Sequence, residues 1–236
     1  MNQNRHKLAL KVAFPPTIPI LTGFIFLGMT FGIYMHSLGH PIWMAVLMSA
    51  CIFAGSMEFV AATMLLGIFN PFSAFILALM INARHLFYGI AMLERFKGTG
   101  RKKWYLIFGM CDETFVINQT MSIPKNVDKG LVMTYVTLFN HLYWVTGSFL
   151  GSIIGGFITV DLEGLEFVMA ALFLVIFLEQ WFKGGRRFST LGIIISIVCL
   201  LIFGKSYFVL PTMFIMLIIF IVFKRPLTRV GEHICR

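Results

Sequence analysis

The chain has 236 residues, of which 58% are hydrophobic and 12% are charged, with a mean hydropathy of +0.88 and a formal net charge of +9. Soluble domains carry about 25% charged residues, so this composition excludes a soluble fold and favours an all-α integral membrane protein. In a membrane protein the excess of lysine and arginine belongs to loops beside anionic lipid, and it does not indicate a nucleic-acid partner.

The apolar segments are long enough to cross a bilayer as helices, which takes about 20 residues each. They do not alternate with polar residues, which favours helices over a barrel. We predict a polytopic helical bundle of about seven or eight transmembrane segments, with broken or re-entrant helices among them. The candidate segments are 15–36, 42–66, 71–93, 104–120, 131–155, 160–181, 188–204 and 206–223. One transmembrane transporter domain, 15–223, then lies between a basic N-terminus, 1–14, and a basic C-terminus, 224–236.

Loop charges predict the orientation of these segments. The positive-inside rule places both termini and the basic loop 183–187 in the cytoplasm, and the acidic loop 156–163 outside. Eight simple crossings break this rule at the loop 94–103, which has five basic residues and would lie outside. The conflict disappears if segment 104–120 does not cross and one of the first three segments is broken or re-entrant. The sequence leaves both topologies open.

Glu58 is an acidic residue inside an apolar segment, where a charge costs about 2.5–3.5 kcal/mol and usually faces a partner or a watery cavity. Its helical neighbours three and four positions away are all small, namely Ala54, Gly55, Ala61 and Ala62. Small residues allow close approach of another helix, so Glu58 is predicted to point into the bundle. It is either a counter-charge or proton carrier, or a structural ion pair or protonated carboxyl. Gly55 and Ser56 are predicted to break the helix and expose backbone N–H groups.

Segment 71–93 carries four polar residues on one side of a helix, which are Asn82, Arg84, His85 and Tyr88. They indicate either a lined cavity or an interhelical hydrogen-bond network. The arginine then has three candidate partners, which are Asp112, Glu113 and Glu58. His85 is a candidate proton relay, although a single intramembrane histidine is more often structural.

The segment 131–155 combines polar residues with a packing motif. Asn140 and Trp144 share a face, so Asn140 is predicted to reach the polar interior. Repeated G-x-x-x-G spacing allows backbones to pack tightly. The glycines predicted to pack helices are Gly28, Gly32, Gly147, Gly151 and Gly155.

Sequence signatures of enzymes are missing. The chain has no G-x-x-x-x-G-K-[ST], no H-E-x-x-H and no G-x-S-x-G. Its cysteines show neither C-x-x-C nor zinc spacing, and they are Cys51, Cys111, Cys199 and Cys235. We therefore predict a protein that is not an enzyme and holds no metal or cofactor.

Five ordered motifs between Pro19 and Phe223 resemble the AzlC family, the large subunit of a branched-chain amino-acid exporter. Ala54-Gly55-Ser56-Met57-Glu58-Phe59 is similar to its A-G-S-x-Q-F, Asn82-x-Arg84-His85-x-x-Tyr88-Gly89 to its N-x-R-H-x-x-Y-G, and Asp112-Glu113-Thr114-Phe115 to its D-E-[ST]-F. Two further motifs follow in the expected order, Trp144-x-x-Gly147-x-x-x-Gly151-x-x-x-Gly155 and Gly164-Leu165-Glu166-Phe167. Glu58 stands where the family usually has Gln, and Glu166 where it usually has Asp.

The resemblance implies export of leucine, isoleucine, valine and related apolar amino acids across the bacterial cytoplasmic membrane, with a small AzlD-like membrane subunit as partner. For such a substrate, Arg84 or the N–H groups near Gly55 and Ser56 are hypothesised to hold the carboxylate. Glu58 or Asp112 then receives the ammonium, and Trp144 helps enclose the side chain. The rival interpretations are a channel, a permease of different specificity, or an assembly subunit whose partner conducts. Homo-oligomerisation is left open.

Overall fold

The computed structural model describes residues 2–67, 70–124, 126–157 and 186–222, with the single positions 174, 178 and 181. The predicted span 160–181 apart from those positions, the motif around Glu166 and the C-terminus 224–236 lie outside the described residues. Within the described part every regular element is a helix and none is a strand, which confirms the all-α class. The chain forms two compact units, residues 1–166 and 167–236.

The first unit contains eight described helices. They are α1 (Asn2–Ser37), α2 (Ile42–Cys51), α3 (Gly55–Met64), α4 (Pro71–Asn82), α5 (Arg84–Met92), α6 (Lys102–Phe108), α7 (Asp112–Thr120) and α8 (Lys129–Gly155). The second, third and fourth predicted segments are therefore each divided into two short helices. The breaks fall at residues 52–54, at Ala83 and at 109–111, and the first of them ends where α3 begins at Gly55.

Helices α1 and α8 pack side by side in parallel. Glycine allows this because a Cβ on Gly28 would lie 2.7 Å from the carbonyl oxygen of Trp144, and one on Gly147 would lie 2.7 Å from that of Ile25. Further along the pair, a Cβ on Gly151 would overlap the backbone of Met29. The structure thus places the glycines of both helices in one seam, where the backbones are in direct contact.

The basic N-terminal residues belong to the same helix as the first predicted span, because α1 is continuous from Asn2. Ala9 and Ala13 are fully buried and pack with Val132 and Val136 at the beginning of α8. Arg5 anchors this end through an ion pair with Asp128, at 3.0 Å between Nη2 and Oδ2. The seam therefore extends into the region that the sequence assigned to a separate N-terminus.

Helices α2 and α3 form a hairpin that returns to the end from which it starts. Nε2 of His40, which precedes α2, donates to the carbonyl oxygen of Ala62 near the end of α3, at 3.0 Å. The far end of α2 reaches the middle of α8, where the carbonyl oxygen of Ala50 accepts from Nε2 of His141 at 3.1 Å. The tip of this hairpin, residues 52–54, therefore lies midway along α8.

Helices α6 and α7 form a second hairpin, which starts from the opposite end. Lys102 at its beginning and Arg5 of α1 both approach Oδ2 of Asp128, which follows α7, at 3.6 and 3.0 Å. At its tip, a Cβ on Gly109 would overlap Cγ2 of Thr137, a residue near the middle of α8. The two hairpins thus approach the middle of α8 from opposite ends.

Length and hydropathy identify few complete spans among the described helices. Residues 4–37 of α1 pass as one span, and α4 with α5 passes as one pair bent by 54°. Helix α8 has 27 residues, about 40 Å at 1.5 Å per residue, with polar residues at its centre. These helices are consistent with a helical membrane protein but do not confirm seven or eight crossings.

The second unit contains two described helices, α9 (Arg186–Tyr207) and α10 (Val209–Val222). Helix α9 is interrupted at Gly204, whose φ of +72° lies in the left-handed region. A Cβ on Gly192 would lie 3.4 Å from Cε of Met216, so the Met216 side chain of α10 packs against α9 at Gly192.

Candidate transport site

Glu58 lies fully buried in the first turn of α3, at the tip of the first hairpin. Its Oε1 accepts from the backbone N–H of Ala54 at 2.9 Å. The indole Nε1–H of Trp144 donates to both carboxyl oxygens, at 3.1 and 3.0 Å. These partners are neutral N–H donors, and they connect the tip of the hairpin to the centre of α8.

Trp144 is held in an aromatic environment. Its ring stacks on Phe31 at 6.3 Å and meets the edge of Phe24 at 5.8 Å between ring centroids. A Cβ on Gly55 would lie 2.9 Å from Cη2 of Trp144, so this glycine gives the indole the space to reach Glu58. Ser56 occupies the same first turn of α3. Trp144, which the sequence predicts to help enclose the substrate, is in the structure a hydrogen-bond donor to Glu58.

Of the three acids considered as partners of Arg84, Asp112 forms the ion pair in the structure. Nη1 of Arg84 lies 2.8 Å from Oδ2 of Asp112, and the hydroxyl of Tyr88 donates to Oδ1 of the same carboxylate at 3.0 Å. Arg84 and Tyr88 follow the break between α4 and α5, whereas Asp112 and Glu113 begin α7. The side chains of the pair are 30% and 31% exposed, so the ion pair is only partly buried.

Aromatic and amide groups surround this ion pair. Tyr88 stacks on Phe115 with ring centroids 4.5 Å apart, and His85 meets the edge of Tyr88 at 5.6 Å. Nδ1 of His85 donates to the carbonyl oxygen of Asn82 at 3.2 Å. Oδ1 of Asn82 is buried and has no hydrogen-bond partner within the described structure. The four polar residues of this segment therefore lie together around the bend.

Asn140 connects the middle of α8 to the second hairpin. Its Nδ2 donates to Oγ1 of Thr114 at 3.0 Å, and that hydroxyl also contacts Sγ of Cys111 at 3.0 Å. Oδ1 of Asn140 and Oδ1 of Asn118 are both buried acceptors without a partner among the described residues. Buried polar atoms of this kind are commonly satisfied by ordered water or by a bound ligand.

His141 is a central residue that the prediction did not include. Besides its bond to Ala50, its Nδ1 accepts from the hydroxyl of Tyr105 in α6 at 3.1 Å. Phe53, at the tip of the first hairpin, packs on the imidazole at 4.5 Å and has a φ of +47°. A non-glycine residue with positive φ is strained and is often found near functional sites. The available signal was the polar pair of Asn140 and His141 within an apolar segment.

Together these contacts place the candidate residues at three helix breaks. The tips of the two hairpins lie beside the middle of α8, and Arg84 connects the third break, at Ala83, to Asp112. Glu58 and Trp144 form one cluster, Arg84 with Asp112 forms a second, and Asn140 links α8 to α7. The packing glycines lie apart, in the seam between α1 and α8. No group of three or more His, Cys, Asp or Glu suited to a metal occurs within the described ranges. Helices that break at charged and polar residues are typical of helical membrane transport proteins.

Comparisons with known proteins narrow this class to a family. The sequence profile of "AzlC protein" matches residues 19–158, and the chain belongs to the AzlC family. It is 55% identical to the Bacillus subtilis "Branched-chain amino acid transport protein AzlC", covering 94% of this chain and 87% of that protein.

More distant relatives also carry membrane-protein names. An "Uncharacterized membrane protein" of Haemophilus influenzae is 46% identical, with 89% of each chain covered. The Escherichia coli "Inner membrane protein YgaZ" is 25% identical over 70% of each chain. No solved structure matches the chain. The function of this protein is therefore in membrane transport, as its family and its similarity to a named transport protein indicate.

Proposed function

We propose that this chain is the large subunit of a secondary transporter that exports branched-chain amino acids across the bacterial cytoplasmic membrane, with a small AzlD-like subunit as partner. The substrate class is supported by the similarity to the Bacillus subtilis relative, which is named a branched-chain amino acid transport protein. The observation that carries the proposal is the partly exposed ion pair of Arg84 and Asp112, which lies where two broken helices meet.

This ion pair matches the two charges of an amino acid. A guanidinium binds a carboxylate through two parallel hydrogen bonds, and an aspartate accepts from an ammonium. A zwitterion inserted between Arg84 and Asp112 replaces one ion pair by two, so neither residue is left uncompensated at membrane depth. The stacked rings of Tyr88 and Phe115 offer an apolar wall for the branched side chain. Glu58, held by Trp144, positions the other hairpin.

The proposed topology has six crossings and two re-entrant hairpins. In the first unit α1, the bent pair α4–α5 and α8 cross, while α2–α3 enters from the outside and α6–α7 from the cytoplasm. The contact of His40 with Ala62 and that of Lys102 with Asp128 support the two hairpins. Segment 160–181, α9 and α10 supply the other crossings. Both termini and the basic loops are then cytoplasmic, as the positive-inside rule requires.

Cysteine labelling tests this topology. In a cysteine-free variant that still exports, Ser37→Cys and Thr63→Cys are expected to react with a membrane-impermeant maleimide added outside intact cells, because both positions are exposed and lie at the outer end of the first hairpin. Arg101→Cys, in the basic loop, is expected to react only after the cells are opened. Labelling of residues 37 and 63 from opposite sides would show that α2–α3 crosses the membrane.

Export is tested in cells preloaded with a leucine- or isoleucine-containing dipeptide. We expect faster efflux of the branched-chain residue only when this chain and the small neighbouring subunit are both expressed. Asp112→Asn is expected to slow this efflux by about tenfold or more, equivalent to about 1.4 kcal/mol, because Arg84 loses its counter-charge. Asp128→Asn is the matched control, since an asparagine still caps α8.

Other outcomes separate the alternatives. If cells that contain both proteins in the membrane release branched-chain amino acids no faster than cells that lack them, the proposed substrate class is contradicted. Efflux that only follows the amino-acid gradient and ignores membrane energisation identifies a channel. Normal efflux by Asp112→Asn and Glu58→Gln at all pH values would show that export needs neither carboxylate as a counter-charge or proton carrier.

A further inference from the structure

A polar cavity of about 420 Å³ lies far from the candidate transport site, at the end of the first unit where α8 begins. Ligand-binding cavities usually measure about 300–1,000 Å³. Three separate stretches of chain line it, which are the beginning of α1, the loop between α5 and α6, and the turn before α8. The basic side chains that line it are Arg5, Lys97 and Lys129.

The charge of this cavity is positive. Its one acid is Asp128, whose Oδ2 pairs with Arg5 and Lys102 and whose Oδ1 accepts from the N–H of Leu131. Partial burial opposes ionisation of Asp128, but the Leu131 N–H and the Lys102 and Arg5 cations outweigh it and lower its pKa. Asp128 is thus satisfied by its own partners, and Lys129 adds a cation to the wall of the cavity. Nζ of Lys97 lies 2.6 Å from Oε1 of Glu94, but both side chains are largely exposed. A surface pair of this kind contributes only about 0–1 kcal/mol, so an anion in the cavity can compete for Lys97.

The wall of the cavity is built by close packing rather than by loose side chains. A Cβ on Gly130 would lie 3.5 Å from Cα of Thr99, an ordinary van der Waals distance, so the α5–α6 loop packs against the beginning of α8. Thr99 is buried and donates from its hydroxyl to the carbonyl oxygen of Phe96 at 2.8 Å. Gly98 and Gly100, with φ of +79° and +61°, turn the loop on both sides of Thr99. The loop is therefore held in place beside the cations.

We propose that this cavity binds the phosphate of an anionic phospholipid headgroup from the cytoplasmic leaflet, between Arg5, Lys97 and Lys129. The location follows from the proposed topology, in which this end of the unit is cytoplasmic, and it does not depend on the transported substrate. Anionic lipids give that leaflet a negative surface potential, and basic pockets between transmembrane helices bind such headgroups. The lipid thereby joins α1, the α5–α6 loop and α8 at the base of the second hairpin.

Native mass spectrometry of the full-length protein in detergent tests the proposal. Phosphatidylglycerol is titrated against phosphatidylcholine, and inorganic phosphate is added in a parallel arm to distinguish a lipid from a free anion. The double variant Lys97→Gln, Lys129→Gln is compared with Lys7→Gln, Lys11→Gln, which removes two exposed cations of α1 that do not line the cavity. Both variants keep Arg5 and its ion pair with Asp128.

We expect phosphatidylglycerol to bind more tightly than phosphatidylcholine. The cavity variant should weaken that binding by about tenfold or more, as the loss of two lysines near an anionic lipid predicts, while the control variant binds as the parent does. Equal weakening in both variants would show non-specific attraction to a basic surface and overturn the proposal. Binding of inorganic phosphate without retention of the lipid would overturn it as well. Neither result bears on amino-acid export.

Discussion

Replacing Gly151 by alanine is expected to lower the free energy of unfolding by about 1–3 kcal/mol or more, the usual cost of overpacking. The added methyl group would overlap the backbone of Met29, which cannot move aside as the end of a flexible side chain does. Relief requires α1 and α8 to separate along a seam that extends from Ala9 to Gly155. We therefore expect a clear decrease in the thermal unfolding midpoint of the detergent-solubilised protein.

Gly23→Ala in α1 is the matched control. A Cβ at Gly23 meets nothing within 4 Å, and alanine is favoured over glycine in a helix by about 0.5–1 kcal/mol. This variant should unfold at the same temperature as the parent or slightly above it. Equal destabilisation of both variants would mean that loss of glycine flexibility, and not the contact between α1 and α8, causes the effect.

Removing the Glu58 carboxylate is expected to have the second large effect. Glu58→Ala leaves the N–H of Ala54 and the indole N–H of Trp144 buried without their acceptor. Each unsatisfied buried donor costs about 1–3 kcal/mol, so a total loss of about 2–6 kcal/mol is expected. Trp144→Phe removes two of the three hydrogen bonds to the carboxylate and should cost about 1.5–3 kcal/mol. Export should fall in both, because the tip of the first hairpin is no longer held.

A double-mutant cycle measures the energy of the contact between Glu58 and Trp144 separately from the stability costs of the two single truncations. The variant that combines Glu58→Ala and Trp144→Phe should be less destabilised than the sum of the single variants, with a coupling of about 1–3 kcal/mol. Chemical unfolding in mixed micelles gives the stabilities, and dipeptide-loaded cells give the export rates. Strict additivity of the stabilities would show that the indole–carboxylate bonds do not contribute, and the role assigned to Glu58 in positioning the hairpin would be lost.

Residue patterns predict part of the candidate transport site, but not the partners that its residues find. Helical spacing in segment 71–93 groups Arg84 with Tyr88, and the structure places both on one carboxylate. The spacing does not choose among Asp112, Glu113 and Glu58, because none of them lies in the segment of Arg84 and the choice depends on how the hairpins dock. For the same reason the bond between Trp144 and Glu58, 86 residues apart in sequence, and the bridging role of His141 were not predicted.

Composition and local spacing by themselves determined that this is an all-helical membrane protein. They also located charged residues inside apolar segments and the glycine-rich helices, because hydropathy and residue size can be read from one segment at a time. The ordered motifs also indicated the AzlC family, which the family profile confirms. The break in segment 42–66 was predicted at Gly55 and Ser56, and α3 begins at Gly55. Only the tertiary structure located the breaks at Ala83 and at 109–111 and decided which ends meet. An apolar segment of given length is equally compatible with a crossing and with a hairpin, since both satisfy their backbone hydrogen bonds internally. The distinction rests on long-range contacts, such as His40 with Ala62 and Lys102 with Asp128, which bring each hairpin back to its starting end.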